Sequence, residues 1–323
     1  MKAQVKPRID LDNRTRLEEA IPLSTPFVLF VDPSSRCNFH CPFCPTSSKP
    51  DSRRGRIPLD LYKKIIDDLD EFDKPLKVLR LYKDGEPLLH LNLPEMVRYA
   101  KDKGSALKVD VTTNASMLTS NMGHRLVAAG LDRINISING ISDETYKQNT
   151  GYSIDFDKLV YNIRQFYQHR EGCFVFIKTI GDLLTKDQQR QFLDIFGDIC
   201  NQISIEHVAP CWPDFDVKGV NRDVGIYGQT IEAVKVCPYI FYSLAVNSDG
   251  TVSLCFLDWS RKMILGDLKT QSLKEIWEGD VLRGHRINHL TGYRGGMCAS
   301  CGQLSYGLPD NIDAYAETLL ERI

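Results

Sequence analysis

Six short runs of β-branched and aromatic residues alternate with longer amphipathic stretches over most of the first 210 positions. This alternation limits the fold more than any other feature. The runs are Phe27–Val31, Val78–Tyr82, Leu107–Val111, Arg133–Ile138, Phe174–Ile180 and Ile203–Val208. Helical patterns lie between them, among them Leu59–Leu69, Leu93–Lys103, Ser120–Ala129, Asp155–His169 and Lys186–Phe196. Strands and helices in strict alternation predict an α/β fold with a parallel sheet and right-handed crossovers. The periodicity is satisfied equally by an open, doubly wound sheet and by a partial barrel. Residues 1–25 read as an N-terminal leader segment with a helical stretch near Thr15–Ala20. The alternation ends near residue 225, giving a core over 26–225 and a second, turn-rich and cysteine-rich part over 226–323. No low-complexity linker separates the two, so they are expected to pack together.

The formal charge of -2 gives no support for a nucleic-acid partner. The N-terminus is charged throughout, without the apolar stretch of a signal peptide, and no run approaches the roughly 20 apolar residues of a membrane span. A cytoplasmic location is therefore expected. Ten cysteines in a reducing compartment point to metal ligation rather than disulfides.

The segment RCNFHCPFCP follows the first predicted strand and so lies at its C-terminal end, the edge where parallel α/β folds bind ligands. Cys37, Cys41 and Cys44 supply three thiolates, one fewer than a closed structural site requires. They can hold three irons of a 4Fe–4S cluster and leave the fourth open, or bind zinc with His40 as the fourth ligand.

Cys-x3-Cys-x2-Cys with an aromatic residue, Phe43, before the last cysteine resembles the signature of the radical S-adenosylmethionine superfamily. The resemblance implies a partial (β/α)6, TIM-like barrel. It also implies an S-adenosylmethionine cofactor that chelates the open iron and yields a 5′-deoxyadenosyl radical able to take a hydrogen atom from substrate. Phe43 would lie by the adenine. Asp84-Gly85-Glu86-Pro87, after the second predicted strand, is similar to the superfamily's Gly-Gly-Glu-Pro, which binds the cofactor's amino group; Asp84 replaces the first glycine. Asn114 ends the third strand as in Thr-Asn-Gly, and Ser137 with Asn139 ends the fourth much as Ser-x-Asp-Gly does; the resemblance implies that all three bind the cofactor, the serine holding its carboxylate and ribose together with a following arginine. The superfamily's following arginine has no counterpart here, leaving Lys147 or Lys178 as its replacement.

Cys237, Cys255, Cys298 and Cys301 form a second set, Cys-x17-Cys followed by a distant Cys-x2-Cys, with Gly250 five residues before Cys255. Four thiolates also suit a zinc ribbon. The intervening Val246–Val252 and Leu265–Trp277 sequences resemble the SPASM and "twitch" auxiliary iron–sulfur domains, and the cysteine spacing is similar to that of 2-deoxy-scyllo-inosamine dehydrogenase. This implies a second 4Fe–4S cluster, fully ligated, that exchanges electrons. Leu273–Trp277 reads as an apolar helix face packed on the core.

A dehydrogenase acting on an alcohol carbon of a sugar, amino-sugar or cyclitol-like small molecule follows, with an external electron donor such as flavodoxin or ferredoxin. Lys83, Glu206, His207 and Arg36 are the candidate bases. Glu206 and His207 are adjacent on a strand, so only one can face the barrel interior. Cys211, following the sixth strand, makes a radical epimerase the first alternative, with the thiol as hydrogen-atom donor. A peptide-modifying maturase is the second, disfavoured because residues 1–25 are too few for a leader-recognition domain. Cys173 and Cys200 read as core thiols.

Overall fold

The structure, a computed structural model, describes residues 1–9, 14–48, 55–218, 220 and 222–323. Its spine is one ten-stranded sheet in the order β1-β7-β6-β5-β4-β3-β2-β8-β9-β10. Strands β2 (Val28–Val31), β3 (Leu76–Arg80), β4 (Ala106–Thr113), β5 (Arg133–Ile138), β6 (Phe174–Ile180) and β7 (Gln202–Glu206) are the six expected runs, all parallel. A short helix α1 (Leu17–Ala20) precedes them. The crossovers carry α2 (Leu59–Asp67), α3 (Leu93–Lys103), α4 (Ser120–Ala128), α5 (Asp143–Thr150), α6 (Phe156–Gln168) and α7 (Lys186–Phe196). Of these, α5 is additional to the helical patterns named from the sequence, and Ser142 and Thr145 close a reciprocal capping box at its start.

Alternate residues of each strand divide between two faces. Leu29, Leu79, Val109, Ile134, Ile177 and Ile203 are buried against the helices. The opposite face carries Phe30, Arg80, Asp110, Arg133, Lys178 and Glu206. The sheet is curled. In a flat sheet β1 (Gln4–Val5) and β3 would stand five strand spacings, roughly 24 Å, apart. Yet Arg8, just beyond β1, donates from Nη1 to the Tyr82 hydroxyl at 2.8 Å, so the polar face is the inside of a partial barrel. The N-terminal segment is thus no free leader: β1 pairs parallel with β7, and Gln202 donates to the Lys6 carbonyl at 3.1 Å. Residues 10–13 of that segment lie outside the described residues.

Beyond Glu206 no strand or helix forms among the described residues until α8 (Tyr239–Tyr242). The chain then returns to the opposite edge of the same sheet. Strand β8 (Ser243–Val246) pairs parallel with β2, and β9 (Thr251–Ser253) and β10 (Ile264–Asp267) follow as antiparallel neighbours. The cysteine-rich part therefore extends the core's sheet. Gly250, at φ 90°, makes the tight β8–β9 turn that a side chain would strain. Helices α9 (Leu273–Glu278) and α10 (Asp280–Leu290) pack beneath. Trp277 is 1% exposed, donates to the Leu23 carbonyl at 3.0 Å and lies under the Arg286 guanidinium, 4.1 Å from ring centroid to Cζ. Trp277→Ala should cost about 3–5 kcal/mol, read as a lowered denaturation midpoint, because it empties a large buried site.

Candidate radical site

The cysteine loop leaves β2 and is held from three sides. Gly85, in the turn after β3, approaches so closely that a Cβ there would stand 2.1 Å from the Ser34 carbonyl oxygen and 2.4 Å from that of Arg36. The Glu86 N–H donates to the Arg36 carbonyl at 2.8 Å. The Thr46 hydroxyl donates to the Asp84 carbonyl, and His40 N–H donates to the Thr150 carbonyl at 2.7 Å. The thiols of Cys37, Cys41 and Cys44 are thereby gathered at the C-terminal edge of the barrel, close enough that negative charge on Cys44 raises the pKa of both Cys37 and Cys41.

Glu86 is tied into the protein's own hydrogen bonds. Its side chain is buried, and three protein donors occupy it: Leu88 N–H at 2.9 Å, the Thr113 hydroxyl at 2.5 Å and Asn114 N–H at 2.7 Å. Burial pushes its pKa up to about 7, against those donors. It ties the β3 turn to the end of β4. Asn114 and Asn139 face the thiols directly. The Asn114 amide lies 4.0 Å from Cys37 Sγ and the Asn139 amide 3.9 Å from Cys41 Sγ, and Phe39 N–H donates to Cys37 Sγ at 3.4 Å. Ser137 stands beside Lys178 in the β5–β6 ladder, and Phe43 is half-buried against the core. Lys147 is exposed and donates to Gly151 at the end of its own helix, whereas Lys178 points into the barrel.

The four candidate bases separate cleanly. Glu206 is the interior one: 4% exposed, it accepts from the Lys178 ammonium at 2.6 Å. His207 turns the other way, its Nδ1 3.0 Å from Asp182 on the rim. Arg36 is exposed. The Lys83 ammonium spends its donors on both Asp84 carboxylate oxygens at 3.1 Å and on the Asp258 carbonyl at 3.0 Å. Tyr227, missed in the sequence, has a phenol that burial pushes up to about 12 and that feels charge on Glu206, Arg8 and Cys211.

Cys237, Cys255, Cys298 and Cys301 form a second mutually interacting set. Burial pushes Cys237 up to about 12 and Cys298 up to about 11. Cys211 belongs to this neighbourhood: the Cys301 thiol donates to its carbonyl at 3.7 Å, and Gly302 closes on the Pro210 carbonyl, where a Cβ would fall within 2.1 Å. Cys173 and Cys200 are buried away from both sets.

None of the ten cysteines is in a disulfide. His40, the fourth ligand that a zinc site on the first loop would need, is exposed. Three thiols on one loop with amide donors aimed at sulfur, and four more in a second set, are the donor sets of iron–sulfur clusters. Ligation supplies the positive charge that ionises thiols raised by burial.

The profile of the Radical SAM superfamily matches residues 31–199, more than half of the chain. The chain belongs to that superfamily. An iron–sulfur cluster-binding domain of the SPASM family matches residues 237–302, a span that includes all four cysteines of the second set. S-adenosylmethionine and 4Fe–4S clusters are accordingly the cofactors of this radical SAM enzyme. A relative similar over most of its length is the "tungsten-containing aldehyde ferredoxin oxidoreductase cofactor-modifying protein" of Pyrococcus furiosus, 24% identical, with 78% of this chain and 81% of that one covered. The "AdoMet-dependent heme synthase" of Methanosarcina barkeri is 30% identical over 140 residues, 43% of this chain and 39% of the relative, so the chain spans under half of that protein. Among solved structures, BtrN in complex with AdoMet and 2-DOIA superposes with TM-score 0.60 at 20% identity over 89% of this chain and 97% of BtrN. Streptococcus suis SuiB bound to its precursor peptide SuiA superposes with TM-score 0.65 at 15% identity, over 90% of this chain and 73% of SuiB. No helix among the described residues is long and apolar enough to cross a membrane.

Gly85→Ala should abolish incorporation of the N-terminal cluster while leaving iron at the second set, read as iron per chain after anaerobic reconstitution. Glu86→Ala strands three buried donors and should cost about 3 kcal/mol or more in denaturant titration. Glu86→Gln, which keeps acceptor capacity, should cost less.

Proposed function

We propose that this radical SAM enzyme oxidises an alcohol carbon of a polar small molecule, a sugar, amino-sugar or cyclitol, to a ketone. The observation that carries the reading is the Lys178–Glu206 pair inside the barrel, on the side where the second set of thiols approaches. Tyr227 senses both Glu206 and Cys211, and the Cys211 carbonyl receives the Cys301 thiol. In this reading Cys37, Cys41 and Cys44 hold the cluster that engages the cofactor, and Cys237, Cys255, Cys298 and Cys301 hold the auxiliary one. When bound, these groups supply hydrogen-atom abstraction and an electron acceptor.

The chain's own residues do the rest. Ser137, Lys178 and Ser204 stand side by side across three strands, with Thr112 and Asn135 one layer below, giving a lining suited to a hydroxylated substrate. Glu206 takes the hydroxyl proton, and the Lys178 ammonium, 2.6 Å away, holds its carboxylate in place inside the barrel. Loss of one hydrogen atom from carbon, one proton from oxygen and one electron accounts for the ketone. The buried barrel keeps water from the radical step. A flavodoxin- or ferredoxin-type carrier would supply the electron that starts each cycle and take up the one that the substrate radical releases. Location in the cytoplasm fits this chemistry.

The Cys211 carbonyl takes the Cys301 thiol at 3.7 Å, which ties its segment to the second thiol set and supports the oxidation reading over epimerisation. Glu206→Gln should lower kcat by about 10²–10⁴-fold with cofactor affinity unchanged. Cys211→Ala should still form ketone from a carbinol-deuterated substrate, with the label recovered in 5′-deoxyadenosine. Solvent deuterium entering the substrate carbon of the wild type, and its loss in Cys211→Ala, would establish the epimerase instead. Label transfer from a peptide alone would establish the maturase.

A further inference from the structure

Asp84 stands where the resembled motif has glycine, and its carboxylate is matched by the residue before it. The side chains of Lys83 and Asp84 are both fully buried. The same ammonium reaches the Asp258 carbonyl at 3.0 Å, 175 positions away in sequence. Asp258 lies three residues past Cys255, and its N–H donates back to the Cys255 carbonyl at 3.0 Å. Its carboxylate is consumed within its own loop, by Lys262 N–H at 2.9 Å and Met263 N–H at 3.0 Å. The carbonyl that meets Lys83 is therefore held in a fixed direction. On the other side, the Asp84 carbonyl takes the Thr46 hydroxyl, and the Cys44 thiol lies 3.4 Å from Thr46 Oγ1. The contacts form one continuous path: Cys44, Thr46, Asp84, Lys83, Asp258, Cys255.

We propose that Lys83 is a buried electrostatic joint that couples the cofactor-binding turn to the loop carrying the auxiliary ligand Cys255, and that Asp84 is its matched counter-charge. A buried ion pair lacking one member leaves an uncompensated charge, so the pair behaves as a unit. A glycine at 84 would need no lysine at 83. With both charges in place the Asp84–Pro87 turn cannot shift without moving the ammonium, and the ammonium cannot move without releasing the Asp258 carbonyl. Cofactor binding at the turn is thereby transmitted to residues 255–263. Lys83 is a positioning residue and exchanges no proton with substrate. The inference rests on the superfamily membership and on the two thiol sets, not on the identity of the substrate.

The test is hydrogen–deuterium exchange of the reconstituted holoprotein with and without S-adenosylmethionine, beside equilibrium dialysis of the cofactor. In the wild type, cofactor should slow exchange at residues 255–263 as well as at the Asp84–Pro87 turn. Lys83→Met should weaken cofactor binding by about tenfold or more, since the buried Asp84 carboxylate loses the ammonium from which both its oxygens accept. The double variant Lys83→Met, Asp84→Gly removes both charges; it should recover cofactor binding to within about threefold of wild type yet show no cofactor-dependent protection at 255–263. The double variant also decides the matter if the single one fails to fold. Protection at 255–263 retained in the double variant, or absent in the wild type while the turn itself is protected, overturns the joint. A wild type that binds no cofactor contradicts the underlying site assignment instead.

Discussion

The molecule turns on the contact between Gly85 and the backbone of Ser34–Arg36. Two loops from neighbouring strands meet there with no side chain between them, at distances no Cβ tolerates. The cysteine loop acquires a fixed start, and the β3 turn acquires a fixed height above the barrel. Glu86 then ties that turn to Thr113 and Asn114, so the ends of β2, β3 and β4 form one hydrogen-bonded rim. On that rim the amides of Asn114 and Asn139 reach Cys37 and Cys41. Donors to ligating sulfur stabilise its negative charge and thereby tune a cluster's reduction potential.

The second thiol set is placed by the same sheet. Because β8 pairs with β2, the auxiliary loop after β9 is built outward from the strand that delivers the first cysteine loop. Relative motion of the two would break the β2–β8 ladder as well as the Phe30–Phe256 stack, whose ring centroids are 4.7 Å apart. A rigid relation between two electron-carrying sites suits a reaction in which a reactive carbon radical must lose its electron before it is quenched.

Periodicity made the six strands and most of the helices legible, because each alternates buried and solvent-facing positions in a recognisable rhythm. The thiol sets were legible for a different reason: short spacings between cysteines survive any fold. What the sequence hides is direction. Glu86 reads as a turn residue of its motif, and that its carboxylate faces inward follows only from Thr113 and Asn114 ending β4 beside it. Glu206 and His207 could not be ranked until β7 settled which one points into the barrel. Gln4–Val5 carries too little pattern to announce a strand, and its pairing follows from the open edge of β7. Cys211 follows the barrel's last strand, but packing of Gly302 on Pro210 draws it to the auxiliary thiols.

The central claim is that the two thiol sets hold clusters of different kind, one with an iron open to the cofactor and one closed by protein. Electron paramagnetic resonance of the anaerobically reconstituted, reduced protein tests it most directly. Two cluster signals are predicted; S-adenosylmethionine should perturb the one that disappears on replacing Cys37, Cys41 and Cys44 with Ala and leave the other unchanged. Two signals both indifferent to the cofactor, or stoichiometric zinc in place of iron at the first set, would contradict the account.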